Sequence, residues 1–269
     1  MKNLDLIEGI KVSRIGFGTA SLHHKFKESQ RLALLSSVYD LGINYFDTAR
    51  IYGDGIAERT LGKFLSDGKR ENVILSSKFG LAPNPIYEKV PFLMYSEKII
   101  RSLLKKIDID YSVKEKKRKL SIEDVSKSLS NSLKALQTDW LDIFYLHEAQ
   151  IEDVKALYKL EPWLLEEKKK GRIRYVGLSG DAKKCLAVYE KFPDLFEILQ
   201  VEDSIEKREA KTLKNQNIPV RITFGYLRNS KKNNKVEVFN EALKMNEEST
   251  ILVSSKSVDN IRKLVDLIK

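Results

Sequence analysis

Eight times along the chain, a short run rich in β-branched and aromatic residues gives way to a longer stretch whose apolar residues recur at helical spacing. The short runs fall at 14–18, 44–47, 73–78, 141–147, 175–179, 197–201, 220–224 and 250–254. The helical stretches fall at 29–41, 56–65, 121–136, 154–170, 182–192, 205–215, 236–245 and 257–269. Strands separated by helices run parallel, and several of these runs are apolar enough to be buried on both faces. Eight such units in about 255 residues match the size of a closed barrel. The pattern predicts an α/β fold, a (β/α)8 TIM barrel, with residues 1–269 forming a single domain.

Local chemistry marks several element ends. Gly42 and Gly171 follow the first and fourth helical stretches, where a left-handed residue closes a helix, and Ser121 stands ahead of Asp124 at the start of the third. Before the first run, residues 4–6 and 11–13 flank Glu8-Gly9, the pattern of an N-terminal β-hairpin that would cover the barrel floor. A long irregular insertion, residues 81–120, follows the third strand. It carries Pro83, Pro85 and Pro91, a short apolar helical piece at 97–105 and a basic run at 114–119. Its place in the chain puts it on the rim where barrel enzymes keep their chemistry.

Lys and Arg number 48 against 38 Asp and Glu, a formal charge of +10 that favours anionic partners without choosing among them. Much of the excess lies in runs at 114–119 and 168–170 and at Lys231, Lys232 and Lys235, with no interleaved aromatic residues of the kind a base-stacking surface requires. These runs read as solvated faces, and no nucleic-acid partner is expected. A single cysteine, Cys185, excludes an internal disulfide and any multi-cysteine metal site, and its apolar neighbours make it a core residue. With no run of about 18 uncharged apolar residues and no leader-like segment, the chain is expected to be cytoplasmic and without a membrane partner.

Side chains at the carboxyl ends of barrel strands converge on one face. The polar residues so placed are Asp47 with Tyr52 five positions on, Lys78, His147, Ser179, Gln200, and Ser254, Lys256 and Ser257 after the last strand. Asp47, Tyr52, Lys78 and His147 form a coherent acid–base set. A phenol has a pKa of about 10, which an adjacent ammonium such as that of Lys78 would lower by about 1 to 3. Asp47 would hold Lys78 protonated and in place, while His147 would orient the reacting oxygen toward Tyr52. Such a set can protonate a carbonyl oxygen during hydride delivery, and because no side chain donates hydride, a redox cofactor is required. His23 and His24, on the loop after the first strand, read as solvated and carry no assignment.

The residues around this set resemble a known family. Gly42-Ile43-Asn44-Tyr45-Phe46-Asp47-Thr48-Ala49, then Tyr52-Gly53, Glu58 and Leu61-Gly62, is similar to the aldo-keto reductase signature. The likeness continues in Ser76-Ser77-Lys78-Phe79, in residues 132–139 running into 141–147, and in residues 171–179. The resemblance implies an NADPH (NADP+)-dependent oxidoreductase acting on a small carbonyl or alcohol, reducing an aldehyde or ketone or running the reverse. In that reading Tyr52 is the general acid, Lys78 and Asp47 tune it, His147 orients the carbonyl, and no metal takes part. Ser179 and Gln200 would hold the nicotinamide carboxamide, Phe224 would stack on its ring, and Gly18, Thr19 and Asp47 would line the floor nearby. Physically, Ser254, Lys256 and Ser257, where the last helix begins, combine free N–H groups, the helix dipole and a cation into an anion site. Arg262, further along that helix, would close over an adenosine 2′-phosphate, which favours NADPH over NADH.

Some positions depart from the family pattern. Gly180 replaces an asparagine, Asp203-Ser204 replaces an aromatic residue and asparagine, and Phe224-Gly225-Tyr226-Leu227 replaces Tyr-Ser-Pro-Leu. The chain ends with its last helix, where many relatives carry a loop over the substrate pocket, and the insertion is expected to take that place. Two other readings stay open: a Schiff-base aldolase using Lys78, and a non-enzymatic, cofactor-sensing regulatory protein on the same fold.

Overall fold

The computed structural model describes residues 3–7, 9–90, 92–93 and 118–268. An antiparallel hairpin, β1 (Asn3–Ile7) with β2 (Ile10–Ser13), precedes β3 (Ile15–Gly18), β4 (Tyr45–Asp47) and β5 (Ile74–Leu81). The short β6 (Arg118–Lys119) lies antiparallel to the end of β5, with Gly80 opposite Lys119 and Leu81 opposite Arg118. Then come β7 (Leu141–His147), β8 (Ile173–Asp181), β9 (Ile198–Glu202), β10 (Val220–Phe224) and β11 (Thr250–Val253). Leaving out the hairpin and β6, the eight remaining strands are parallel, each beside the next, and β11 pairs with β3 to close the barrel.

Around it pack α1 (Glu28–Asp40), α2 (Ile56–Leu65), α3 (Pro85–Lys89), α4 (Ile122–Leu136), α5 (Val154–Lys169) and α6 (Ala182–Tyr189). The set continues with α7 (Glu209–Lys214), α8 (Tyr226–Asn229), α9 (Lys235–Met245) and α10 (Val258–Val265). The expected caps form: Gly42 and Gly171 take φ of 87° and 75°, and Ser121 Oγ accepts from the Asp124 backbone N–H at 3.1 Å. Among the described residues, no helix is long and apolar enough to cross a membrane.

The hairpin covers the barrel floor as expected. Its Leu6, Ile10 and Val12 pack in one cluster with Tyr45, Ile143, Tyr145, Ile198 and Ile222. Burying each of those aliphatic side chains stabilises the fold by roughly 1.5–3 kcal/mol. Two glycines make room for the tyrosines in this interior. A Cβ on Gly16 would stand 2.4 Å from Tyr45 Cδ1, and one on Gly177 would stand 2.5 Å from Tyr145 Cε1. Cys185 is buried in the second, outer cluster between strands and helices.

Three of the boundaries that differ from the sequence pattern have a clear physical cause. β5 runs three residues past Lys78 because β6 supplies partners for Gly80 and Leu81. β8 runs on to Asp181 because Gly180 and Asp181 find partners in Val201 and Glu202 of β9. The stretch 205–215 contracts to α7 because Asp203 Oδ1 accepts from both the Ser204 and Glu209 N–H groups at 2.8 Å, holding the residues between as a turn that ends at Arg208 with φ 53°. The helical piece expected at 97–105, and residues 114–117 of the basic run, lie outside the described residues.

Candidate active site

Asp47 ends β4 and Lys78 lies in β5, the adjacent strand, so the pleat turns both side chains into the barrel mouth. Lys78 Nζ donates to Asp47 Oδ2 at 2.5 Å and to the Thr48 carbonyl at 2.9 Å. Both partners are sealed from solvent, Lys78 at 2% and Asp47 at 1% exposure. The same ammonium lies 5.0 Å from the centre of the Tyr52 ring. The His147 ring meets that of Tyr52 edge-on, 5.7 Å between centres at 85°. The four residues derived from the strand ends therefore converge.

Burial is the largest influence on Lys78 and lowers its pKa, but Asp47 and Tyr52 together outweigh it and leave the ammonium above the ordinary lysine value. Tyr52 behaves differently from the sequence expectation. Burial pushes its phenol above the ordinary value and is the largest influence, Lys78 pulls it down, and Asp47 and Glu148 push it up again, leaving a net rise. Lys78 thus limits the rise in this site rather than making the free phenol acidic, and Tyr52 keeps its proton at neutral pH.

Beneath this set lies a buried polar layer that the strand-end argument did not single out. Asp47 Oδ1 accepts from Ser76 Oγ at 2.9 Å and from Gln200 Nε2 at 3.1 Å. Ser76 Oγ also bonds the Tyr45 hydroxyl at 2.9 Å, and Ser179 Oγ donates to Gln200 Oε1 at 2.7 Å. Gln200 thus commits its amide to Asp47 and its carbonyl to Ser179, and acts in this structure as a support for Asp47. The available signal was the period of two: Ser76 lies two residues before Lys78, and Tyr45 two before Asp47, on the same faces.

A cavity of about 410 Å3 opens beside Asp47 and Tyr52, with Gly18, Ala20, Phe224 and Ser254 among its walls. Thr19 is buried and donates from Oγ1 to the Asp47 carbonyl at 3.1 Å, and Ser254 shares a 2.7 Å hydrogen bond with Ser21. Lys256, Ser257 and Arg262 lie outside the cavity lining. Ser257 caps α10, Lys256 is exposed, and Arg262 pairs with Asp259 of the same helix at 3.2 Å. His24 reaches the cavity wall from the turn after β3, a placement the sequence reading did not assign.

The departures from the family pattern form compensated units. Asp203, buried, accepts from the Tyr226 hydroxyl at 2.7 Å, and that hydroxyl accepts from Asn246 Nδ2 at 2.7 Å. Burial and Asp203 together push the Tyr226 phenol far up, so it remains a donor. Two replacements distant in sequence therefore bond each other behind the cavity wall. At Gly180, φ is +150° and an added Cβ would stand 3.0 Å from Glu148 Cα, so the close approach of the β7 and β8 exits excludes an asparagine there.

The architecture and site define a (β/α)8 barrel with a buried carboxylate–ammonium–phenol–imidazole set at its carboxyl rim. Residues 14–220 match the model of the Aldo/keto reductase family, and the chain belongs to that family. It is similar to the D-threo-aldose 1-dehydrogenase of a Pseudomonas species, 28% identical over 70% of this chain and 56% of that protein. It is also similar to the aldo-keto reductase yakc [NADP(+)] of Schizosaccharomyces pombe, 30% identical over 66% of this chain and 46% of that protein. The matches thus span about half the length of these relatives. Among solved structures, the holo form of the aldo-keto reductase AKR11C1 from Bacillus halodurans shares the fold, with a TM-score of 0.76, 22% identity, and coverage of 100% of this chain and 91% of that one.

Proposed function

We propose that this protein is an NADPH-dependent oxidoreductase that reduces a small aldehyde or ketone to an alcohol, or runs the reverse, as a single cytoplasmic domain. The observation that carries the reading is the Lys78 ammonium, held by Asp47 at 2.5 Å and lying 5.0 Å from the centre of the Tyr52 ring, beside His147 and an open cavity. The cavity fits a nicotinamide: its volume, about 410 Å3, lies within the usual range of small-molecule sites, and small Gly18 and Ala20 with Phe224 leave room for a flat ring. Phe224 would stack on that ring and Ser179 would meet its carboxamide. Lys256 and Ser257 at the start of α10 would take a phosphate. The Arg262–Asp259 pair is exposed and worth about 0–1 kcal/mol, so a 2′-phosphate can compete for the guanidinium.

The cofactor, when bound, supplies the hydride. Every other step belongs to this chain. His147 presents its imidazole to the carbonyl oxygen and aims it at Tyr52. Tyr52, protonated at neutral pH, releases its proton as negative charge grows on that oxygen. Lys78 stabilises the phenolate left behind, and Asp47, supported by Ser76 and Gln200, keeps Lys78 charged and immobile. In the alcohol-oxidising direction the phenolate accepts the proton. The relative named for NADP(+) and those named as sugar dehydrogenases support a nicotinamide cofactor and a carbonyl or alcohol substrate.

The test is a nicotinamide-fluorescence titration with NADPH and NADH, followed by an aldehyde and ketone panel on the same sample. Tighter binding of NADPH with turnover of some carbonyl is the expected result. Binding without turnover across the panel would favour a cofactor-sensing protein, and absence of binding would overturn the reading. A Schiff-base role for Lys78 needs a neutral amine, whereas Asp47 holds this one charged. Borohydride should therefore trap no substrate on Lys78.

A further inference from the structure

The insertion after β5 returns to the barrel at Arg118, which pairs with Leu81 at the strand end. Arg118 Nη1 donates to the carbonyl of His147 at 3.1 Å and to that of Glu148 at 3.2 Å, while Nη2 donates to the carboxylate of Asp153. Asp153 is 3% exposed, and its Oδ2 also accepts the Gln150 N–H at 2.9 Å. Gln150 in turn donates from Nε2 to the Glu148 carbonyl at 2.8 Å. One guanidinium therefore ties together three points of the turn that follows β7.

That turn needs holding. Glu148 takes φ 48°, a left-handed conformation that costs a non-glycine residue of order 1–3 kcal/mol and persists only where its surroundings impose it. Holding the carbonyls of His147 and Glu148 fixes the peptide planes just after His147, and with them the position of the Cα that carries the imidazole. Only a planar, forked cation can serve two carbonyls and a carboxylate at once, which a lysine's single ammonium cannot do in this geometry.

We infer that Arg118 is a positioning residue for His147: from the far end of the insertion, it fixes the β7 exit so that the imidazole keeps its edge-on placement against the Tyr52 ring. The inference rests on the proposed role of His147 in orienting the carbonyl. Arg118 is not among the residues lining the cavity, and its hydrogen bonds to His147, Glu148 and Asp153 all run to the turn. A displacement of about 1 Å at such a group costs on the order of 100-fold in rate.

The experiment compares the full-length protein with Arg118→Lys, Arg118→Ala and Asp153→Asn. It measures NADPH dissociation constant, kcat and KM for a carbonyl substrate, thermal midpoint, and the His147 ring resonances by NMR, assigned with His147→Gln. NADPH affinity should stay within about twofold, because neither Arg118 nor any residue of the turn after β7 lines the cavity. Carbonyl kcat/KM should fall about tenfold in Arg118→Lys and about 100-fold in Arg118→Ala. Asp153→Asn, which keeps both carbonyl contacts, should fall less than Arg118→Lys. The His147 resonances should move in Arg118→Lys. If Arg118→Ala fails to fold, the other two variants decide. A lowered thermal midpoint in Arg118→Lys with parental kcat/KM and unmoved His147 resonances would overturn the inference. If the parent turns over no carbonyl, the proposed function fails, while the resonances alone still show whether Arg118 sets the imidazole's surroundings.

Discussion

Replacing Lys78 by methionine removes one charge from a sealed pair and leaves the shape nearly intact. At the 5.0 Å that separates the ammonium from the Tyr52 ring centre, an effective dielectric of about 20 gives an interaction with the phenolate of about 3 kcal/mol. That is a factor of roughly 150 in acidity. Tyr52 in Lys78→Met should therefore titrate well above its place in the parent, and proton delivery should slow by about 100-fold or more. The assay is ultraviolet tyrosinate titration, with Tyr52→Phe subtracted to isolate one phenol among 11 tyrosines, beside carbonyl turnover at saturating NADPH. Stability moves too. Asp47 loses its cation and keeps only Ser76 and Gln200 as side-chain donors, a loss of about 3–5 kcal/mol before those hydrogen bonds compensate. Because the folded Lys78 pKa is raised, the pair's contribution in the parent is fully present below the unfolded lysine value of about 10.4 and fades as pH climbs through the folded value. The thermal midpoint of the parent, less that of the variant, should thus hold through neutral pH and shrink only in strong alkali. An unmoved Tyr52 titration together with parental turnover would refute the reasoning.

Glu148→Gln removes one of the charges that raise the Tyr52 phenol, so the basic limb of the activity profile should move to lower pH; a shift to higher pH would contradict the electrostatics. Tyr226→Phe breaks the bonds to Asp203 and Asn246 and should cost about 1–3 kcal/mol in urea unfolding, with weaker NADPH binding through the cavity wall that Tyr226 also lines. Gly177→Ala places a methyl 2.4 Å from the Ile198 carbonyl oxygen and 2.5 Å from the Tyr145 ring, and should lose about 1–3 kcal/mol by overpacking, read from the same unfolding curves.

The barrel was legible because its signal is periodic and redundant. The runs 141–147 and 220–224 and the stretch 56–65 coincide with β7, β10 and α2. At three ends that the pattern misplaces, a long-range partner decides the outcome: β6 for β5, β9 for β8, and the Asp203 carboxylate for α7. The acid–base set was legible for a different reason, since strand ends in a barrel share one face. The layer supporting it was not, because alternation says which side Ser76 and Tyr45 face but not that the Ser76 hydroxyl meets Asp47 and the Tyr45 hydroxyl meets Ser76. Arg118 was hidden by its neighbours: within a basic run read as solvated, nothing local distinguishes the residue whose guanidinium reaches Asp153.

Tyr52→Phe removes a single oxygen from the proposed proton donor, and the turnover of that variant under saturating NADPH tests the account most directly. Cofactor affinity should match the parent, and carbonyl reduction should drop by about 1,000-fold or more, as loss of a general acid requires. Carbonyl reduction at the parental rate in that variant would contradict the assignment, because the proton would then have come from elsewhere.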